Sequence, residues 1–135
     1  MALIKWDDNL SVNVAEIDGQ HRGLIAMINE LHDAMKTGKG RDIMEKIVNS
    51  LVVYAALHFR TEEKYFVEFG YPDTENHKME HAAFVDKVSN FKDELEDRKL
   101  SLTIDMMDFL GDWLQHHIMG TDKKYTGFFN ENGLR

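Results

Sequence analysis

Apolar side chains recur every three or four positions in four separate stretches of the chain. Nowhere do they alternate with period two over a useful length, so the pattern predicts helices and no strands. The first stripe reads His21, Leu24, Ile25, Ile28, Leu31, Met35, with Asp18 as a candidate N-cap and Gly38 and Gly40 closing it. The second reads Ile43, Ile47, Leu51, Tyr54, His58, Glu62, Tyr65, Phe69 and stops at Gly70-Tyr71-Pro72. The third starts at Asp73 or Thr74, reads His77, His81, Phe84, Val88, Phe91, Leu95, and dissolves into the charged stretch Asp93 to Lys99. The fourth, capped by Ser101 or Thr103, reads Met106, Leu110, Trp113, Leu114, His117 and meets Gly120. Helices are therefore expected over about 18–37, 41–69, 74–97 and 103–119. Short connections between long helices favour antiparallel neighbours. The expected architecture is all-α, an up-down-up-down antiparallel four-helix bundle forming a single domain over residues 1–135. An N-terminal arm, residues 1–17, is anchored by Trp6, and a short C-terminal segment follows the fourth helix.

Seven polar residues interrupt the inward faces: His21, His58, Glu62, His77, His81, His117 and, just past the fourth helix, Asp122. Burying an unpaired carboxylate or imidazole is costly, so each needs an interior partner. His58 and Glu62, like His77 and His81, are four apart, and each pair points two donors at one place. The start of helix one, the end of helix two, the start of helix three and the end of helix four share one end of such a bundle. All seven candidates converge there. His117 and Asp122 are five apart, about 140° off alignment in a regular helix. Gly120 is expected to break the helix and let Asp122 enter from a loop.

The remaining histidines act as internal controls. His32 lies about 16 Å along the axis from His21, too far to join the site. His116 and Asp112 face off the stripe and read as solvated, and Glu63 and Glu80 read the same way.

Composition narrows the chemistry. Cys is absent, which excludes disulfides, iron–sulfur clusters, thiolate zinc sites and a cysteine nucleophile. Acidic residues outnumber basic ones 24 to 16, for a net charge of −8, so nucleic acid and anionic membrane surfaces are poor partners. The longest apolar run, Leu51 to Leu57, is far short of a membrane span. The N-terminus lacks the basic and apolar regions of a signal peptide, and a cytoplasmic location is expected. Seven donors exceed a four-ligand zinc site, and calcium and magnesium prefer oxygen to five imidazoles. Two transition metals bridged by both carboxylates and by one shared oxygen atom fit the inventory. That arrangement leaves one octahedral position open.

These residues carry a resemblance. His21 within Ile17-Asp18-Gly19-Gln20-His21, His58-Phe59-Arg60-Thr61-Glu62, His77-Lys78-Met79-Glu80-His81 and His117 through Asp122 together resemble the hemerythrin family in its bacterial single-domain form. The resemblance covers nearly the whole chain. It implies two irons bridged by an oxo or hydroxo group, with His77, His81 and His117 on the saturated iron and His21 and His58 on the open one. Glu62 and Asp122 would bridge. It further implies reversible dioxygen binding for storage, delivery or scavenging, without enzymatic turnover, with small anions as competing ligands. An oxygen- or redox-sensing module and a di-iron enzyme acting on peroxide, nitric oxide or ferrous iron are the alternatives. Carriage is favoured because carboxylate-rich di-iron oxidases in bundles use Glu-x-x-His pairs, and this chain contains none. The sequence points to no particular protein partner. An open position needs an apolar wall, for which helical geometry nominates Leu24, Phe59 and Leu114, while Ile25 reads as ordinary core.

Overall fold

A computed structural model describes residues 4–96 and 102–135. Four helices make the bundle: α1 (Ala15–Lys36), α2 (Gly40–Phe69), α3 (Thr74–Glu96) and α4 (Leu102–Asp112). The chain stays helical beyond α4, through a π-helical stretch at Trp113–Thr121, a 3₁₀ turn at Asp122–Tyr125 and the short α5 (Thr126–Glu131). Among the described residues there is no strand, and no helix is long and apolar enough to cross a membrane. Ser101 and the expected end of the third helix at residue 97 lie outside the described residues.

Three local expectations are corrected. First, α1 begins at Ala15, not at Asp18. The Asp18 carboxylate is used upstream, accepting from the Ser11 hydroxyl at 2.6 Å and the Val12 N–H at 2.8 Å. The arm is thereby tied across the first turn, and Asn13, at φ 56°, makes the bend that permits it. Second, Gly40 opens α2 instead of closing α1. A Cβ there would meet Thr103 Cγ2 at 2.9 Å and Met35 Cγ at 3.1 Å, so α2 starts where three helices approach closely. Third, Gly120 does not break the helix, a point taken up with the site below. The end of α2 is set by Gly70, whose left-handed backbone (φ 69°) turns the chain toward Tyr71 and Pro72.

The core forms two apolar clusters. The larger fills the bundle with Leu24, Ile28, Leu31, Ile47, Leu51, Phe84, Phe91 and Leu110, and the half-buried Trp6 of the arm packs against it under the Arg22 guanidinium. The smaller joins Val12, Val14 and Ile17 to Phe66, Tyr71, Tyr125 and Phe129. It caps one end of the bundle, where the arm and α5 meet. Thr126 donates to the Val12 carbonyl there and holds the two termini together.

Candidate metal centre

The seven polar intruders lie between those two clusters, and all are 3% exposed or less. α1 contributes His21, α2 contributes His58 and Glu62, and α3 contributes His77 and His81. His117 comes from the π-helical stretch and Asp122 from the 3₁₀ turn after it. A π turn bonds residues five apart, as an α turn bonds residues four apart. The Asp122 N–H donates to the His117 carbonyl, so the two residues stack on one face. Their side chains meet at 2.9 Å, His117 Nε2 to Asp122 Oδ1. Winding, rather than interruption, brings Asp122 to the site.

All five histidines turn Nε2 inward. His58 and His81 reach Glu62 Oε1 at 3.1 and 3.0 Å, and His77 reaches Asp122 Oδ1 at 2.8 Å and Glu62 Oε1 at 3.6 Å. His21 Nε2 lies 3.1 Å from Asp122 Oδ2 and 3.2 Å from His58 Nε2. The donor atoms fall into two overlapping groups: Glu62, His77, His81, His117 and Asp122; and His21, His58, Glu62 and Asp122. The two carboxylates belong to both.

Charge and bonding in this cluster call for cations. Both carboxylates are fully buried, and none of their four oxygens has a well-directed hydrogen bond; nor do the Nε2 atoms of His77, His81 and His117. Buried polar atoms in native proteins are overwhelmingly satisfied, and leaving them bare costs about 1–3 kcal/mol each. Neutral imidazoles and carboxylates around two cations satisfy all of them. Without metal, protons substitute. Burial lowers the basicity of His77, but the nearby carboxylates of Asp122 and Glu62 outweigh it and raise its pKa to about 10. His117 is raised against burial by Asp122 and Glu62 in the same way. Burial dominates at His58, whose pKa falls. Burial pushes Glu62 up, yet His58, His77 and His81 hold it well below the ordinary carboxylate range.

Metal must therefore displace a proton from His77. At pH 7 the metal-free protein carries that proton, because its pKa lies above the working pH; above pH 10 it does not. Loading at pH 7 should release protons, read with an indicator dye, and the His77 share of that release should fade as the pH passes 10.

Three of the outward Nδ1 atoms are held by neighbouring side chains, two of them by Glu63 and Glu80, which read as solvated in the sequence, so those two expectations are corrected. Glu63 Oε2 takes His81 Nδ1 at 3.0 Å, and Glu80 Oε1 takes His117 Nδ1 at 2.9 Å. Glu80 also accepts from the Thr121 hydroxyl. Gln20 Oε1 takes His58 Nδ1 at 2.7 Å, and the Gln20 side chain is itself fixed by its Nε2, which donates to the Thr61 hydroxyl. These contacts set the tautomer that leaves Nε2 free for a metal. Glu63 and Glu80 stay partly exposed, so their solvent side was legible and their inward role was not. Truncating Glu80 to Ala should weaken metal binding about 10–100-fold, measured by competition with a chelator.

Aromatic rings cover the histidines. Phe59 lies flat on His81 with ring centres 3.8 Å apart, and Trp113 lies flat on His117 at 3.8 Å. Tyr54 stacks on His58 at 5.1 Å, while Phe66 and Tyr125 pack on His77. Leu24, Ile25 and Leu114 are buried in the larger cluster beneath the site. Trp113, a core position on the fourth stripe, is four residues before His117, the spacing that lets the two rings meet on one helix face. His32 and His116 stand outside both donor groups, and His116 is exposed, bonded to the Asp112 carbonyl.

The chain is similar to known proteins in sequence and in fold. The family model "Hemerythrin HHE cation binding domain" matches residues 12–129. A bacteriohemerythrin of Stenotrophomonas maltophilia is 34% identical over 126 residues, covering 93% of this chain and 81% of its own. The bacteriohemerythrin of Methylococcus capsulatus is 32% identical, covering 93% and 95%. A wild-type hemerythrin crystal structure superposes with a TM-score of 0.82 at 32% identity, covering 93% of this chain and 97% of its own. The family match runs from the end of the arm through the bundle into α5 and takes in all seven buried donors: the chain belongs to the hemerythrin family.

Proposed function

We propose that this protein binds dioxygen reversibly at two irons held by the seven buried donors, as a store, carrier or scavenger in the bacterial cytoplasm. The observation that carries the reading is the division of donors into a three-histidine and a two-histidine group sharing Glu62 and Asp122. His77, His81 and His117 would hold one metal and His21 and His58 the other, with Glu62 and Asp122 shared between them, and the metal with fewer histidines would keep a position free for a small ligand. Iron in that setting supplies reversible electron donation to dioxygen, and the same open position accepts small anions.

The chain's own part is to hold the donors and keep water out. Gln20, Glu63 and Glu80 orient three of the imidazoles. Leu24, Phe59 and Leu114, together with Trp113, supply an apolar wall, and all are buried. Among the described residues, the ionisable groups buried beside the donors and their orienting partners are the phenols of Tyr54 and Tyr125, whose pKa values burial raises. Anaerobically reduced, iron-loaded protein should take up one dioxygen per chain and return it on deoxygenation. Sustained turnover of peroxide or nitric oxide without reversible uptake would instead identify an enzyme.

Leu114 precedes His117 by one turn and is 7% exposed. Leu114→Ala should still bind dioxygen but autoxidise faster and admit azide-sized anions more readily. The truncation should also cost about 2–5 kcal/mol of stability. Stopped-flow autoxidation rates and a thermal melt read the two effects separately.

A further inference from the structure

On the outer side of the bundle, α2 and α3 part to leave a solvent-open groove of about 1230 Å³. Its floor is apolar, with Ala55, Phe59 and Val88 buried and Val52 and Val85 left 49% and 48% exposed. The hollow exists because Ala55, Ala56, Ala82 and Ser89 stand where larger side chains would close the seam. From Val52 to Val67 the groove follows α2 for about 22 Å, roughly four helical turns.

The rim runs against the charge of the molecule. The chain carries −8 overall, yet Arg60, Lys64, Lys78 and Lys92 line this groove against only Glu63 and Asp86. Glu63 is engaged by His81. Among the described residues Arg60, Lys64 and Lys92 form no ion pair, and Lys78 reaches Glu63 only at 4.0 Å.

We propose that this groove docks an acidic amphipathic helix of a partner protein, about four turns long, with its apolar stripe on Val52, Ala56 and Val85. An apolar trough with charged edges is the form in which a helix is received by its i, i+3, i+4 and i+7 side chains. The spacing of the cations selects the occupant. Lys64 and Lys78 lie toward the metal end, Arg60 in the middle and Lys92 at the far end. A helix presents carboxylates along its whole length, whereas a fatty acid has one at a single end. A second copy docked about a two-fold axis would set these cations against their own images, which like-charge repulsion disfavours. Phe59 and His81 form part of the floor, so the docked helix lies against the ring that covers the three-histidine group.

The test uses the metal-loaded protein and two labelled 16-residue helical peptides with the same leucine stripe, one flanked by Glu and the other by Lys. Fluorescence anisotropy should show the acidic peptide binding at least tenfold tighter than its basic twin. Binding should fall at least tenfold in Val85→Glu, and also in the double variant Arg60→Glu/Lys92→Glu. All three of these positions are exposed, and unchanged melting curves verify that the variants fold. Equal binding of the two peptides, or undiminished binding by both variants, overturns the proposal. So does dodecanoate binding that Val85→Glu abolishes when the acidic peptide does not bind, or a dimer in sedimentation that Val85→Glu dissociates.

Discussion

Replacing Glu62 with Ala should leave fewer than two metals per chain. Its carboxylate is fully buried, belongs to both donor groups, and lies within 3.6 Å of three histidine Nε2 atoms. Removing it would take a donor from both groups at once and leave His58, His77 and His81 without the carboxylate they face. His77→Ala should also lose at least one metal, because His77 bridges the interaction between the two carboxylates and belongs to the five-donor group. The matched controls are His32→Gln and His116→Gln, which stand outside both groups and should retain two metals. Atomic absorption on the purified variants gives the count. Full metal content in Glu62→Ala would remove the bridging assignment, whatever the activity of the protein.

Stripping the metals should lower the melting point substantially. The donors come from α1, α2, α3 and the segment after α4, so metal ions held by them would tie the whole capped end of the bundle together. A ligand present at about a thousand times its Kd stabilises the native state by about 4 kcal/mol. In a domain of this size that is on the order of 10–15 °C. The metal-free protein also has a defined pH response. The His77 pKa, raised to about 10 from its ordinary 6.5, stabilises the metal-free fold below pH 6.5, and that contribution is lost as the pH rises toward 10. Glu62 works in the opposite sense, since its lowered pKa contributes above the ordinary carboxylate range and is lost on acidification. Differential scanning calorimetry of metal-free and loaded protein across pH 4–10 reads both effects; equal melting points would place the donors outside the structural core.

Helical periodicity carried much of this in the sequence. The i,i+4 spacing of His58 with Glu62 and of His77 with His81 reads directly as shared faces, because α2 and α3 are regular through those residues. Asp122 shows where that reading stops. A five-residue separation from His117 is compatible with a broken helix or with π winding, and Gly120 favoured the break on propensity alone. The wider turn prevails because it keeps the backbone hydrogen-bonded while turning both side chains inward. Glu63 and Glu80 were illegible for another reason. Each supports a histidine on a different helix, and the rotation of one helix about its axis relative to the next is fixed by packing, not by spacing within either. The start of α1 was displaced by a tertiary contact too, since Asp18 serves the arm.

The central claim is reversible dioxygen binding at the paired metal site, and the visible absorption spectrum of the iron-loaded protein tests it most directly. It should be recorded on the anaerobically reduced protein, again after dioxygen is admitted, and once more after dioxygen is removed. The account predicts a visible band that appears with dioxygen, disappears on its removal and returns over repeated cycles. A spectrum that does not respond to dioxygen, or that changes once and does not revert, would contradict it.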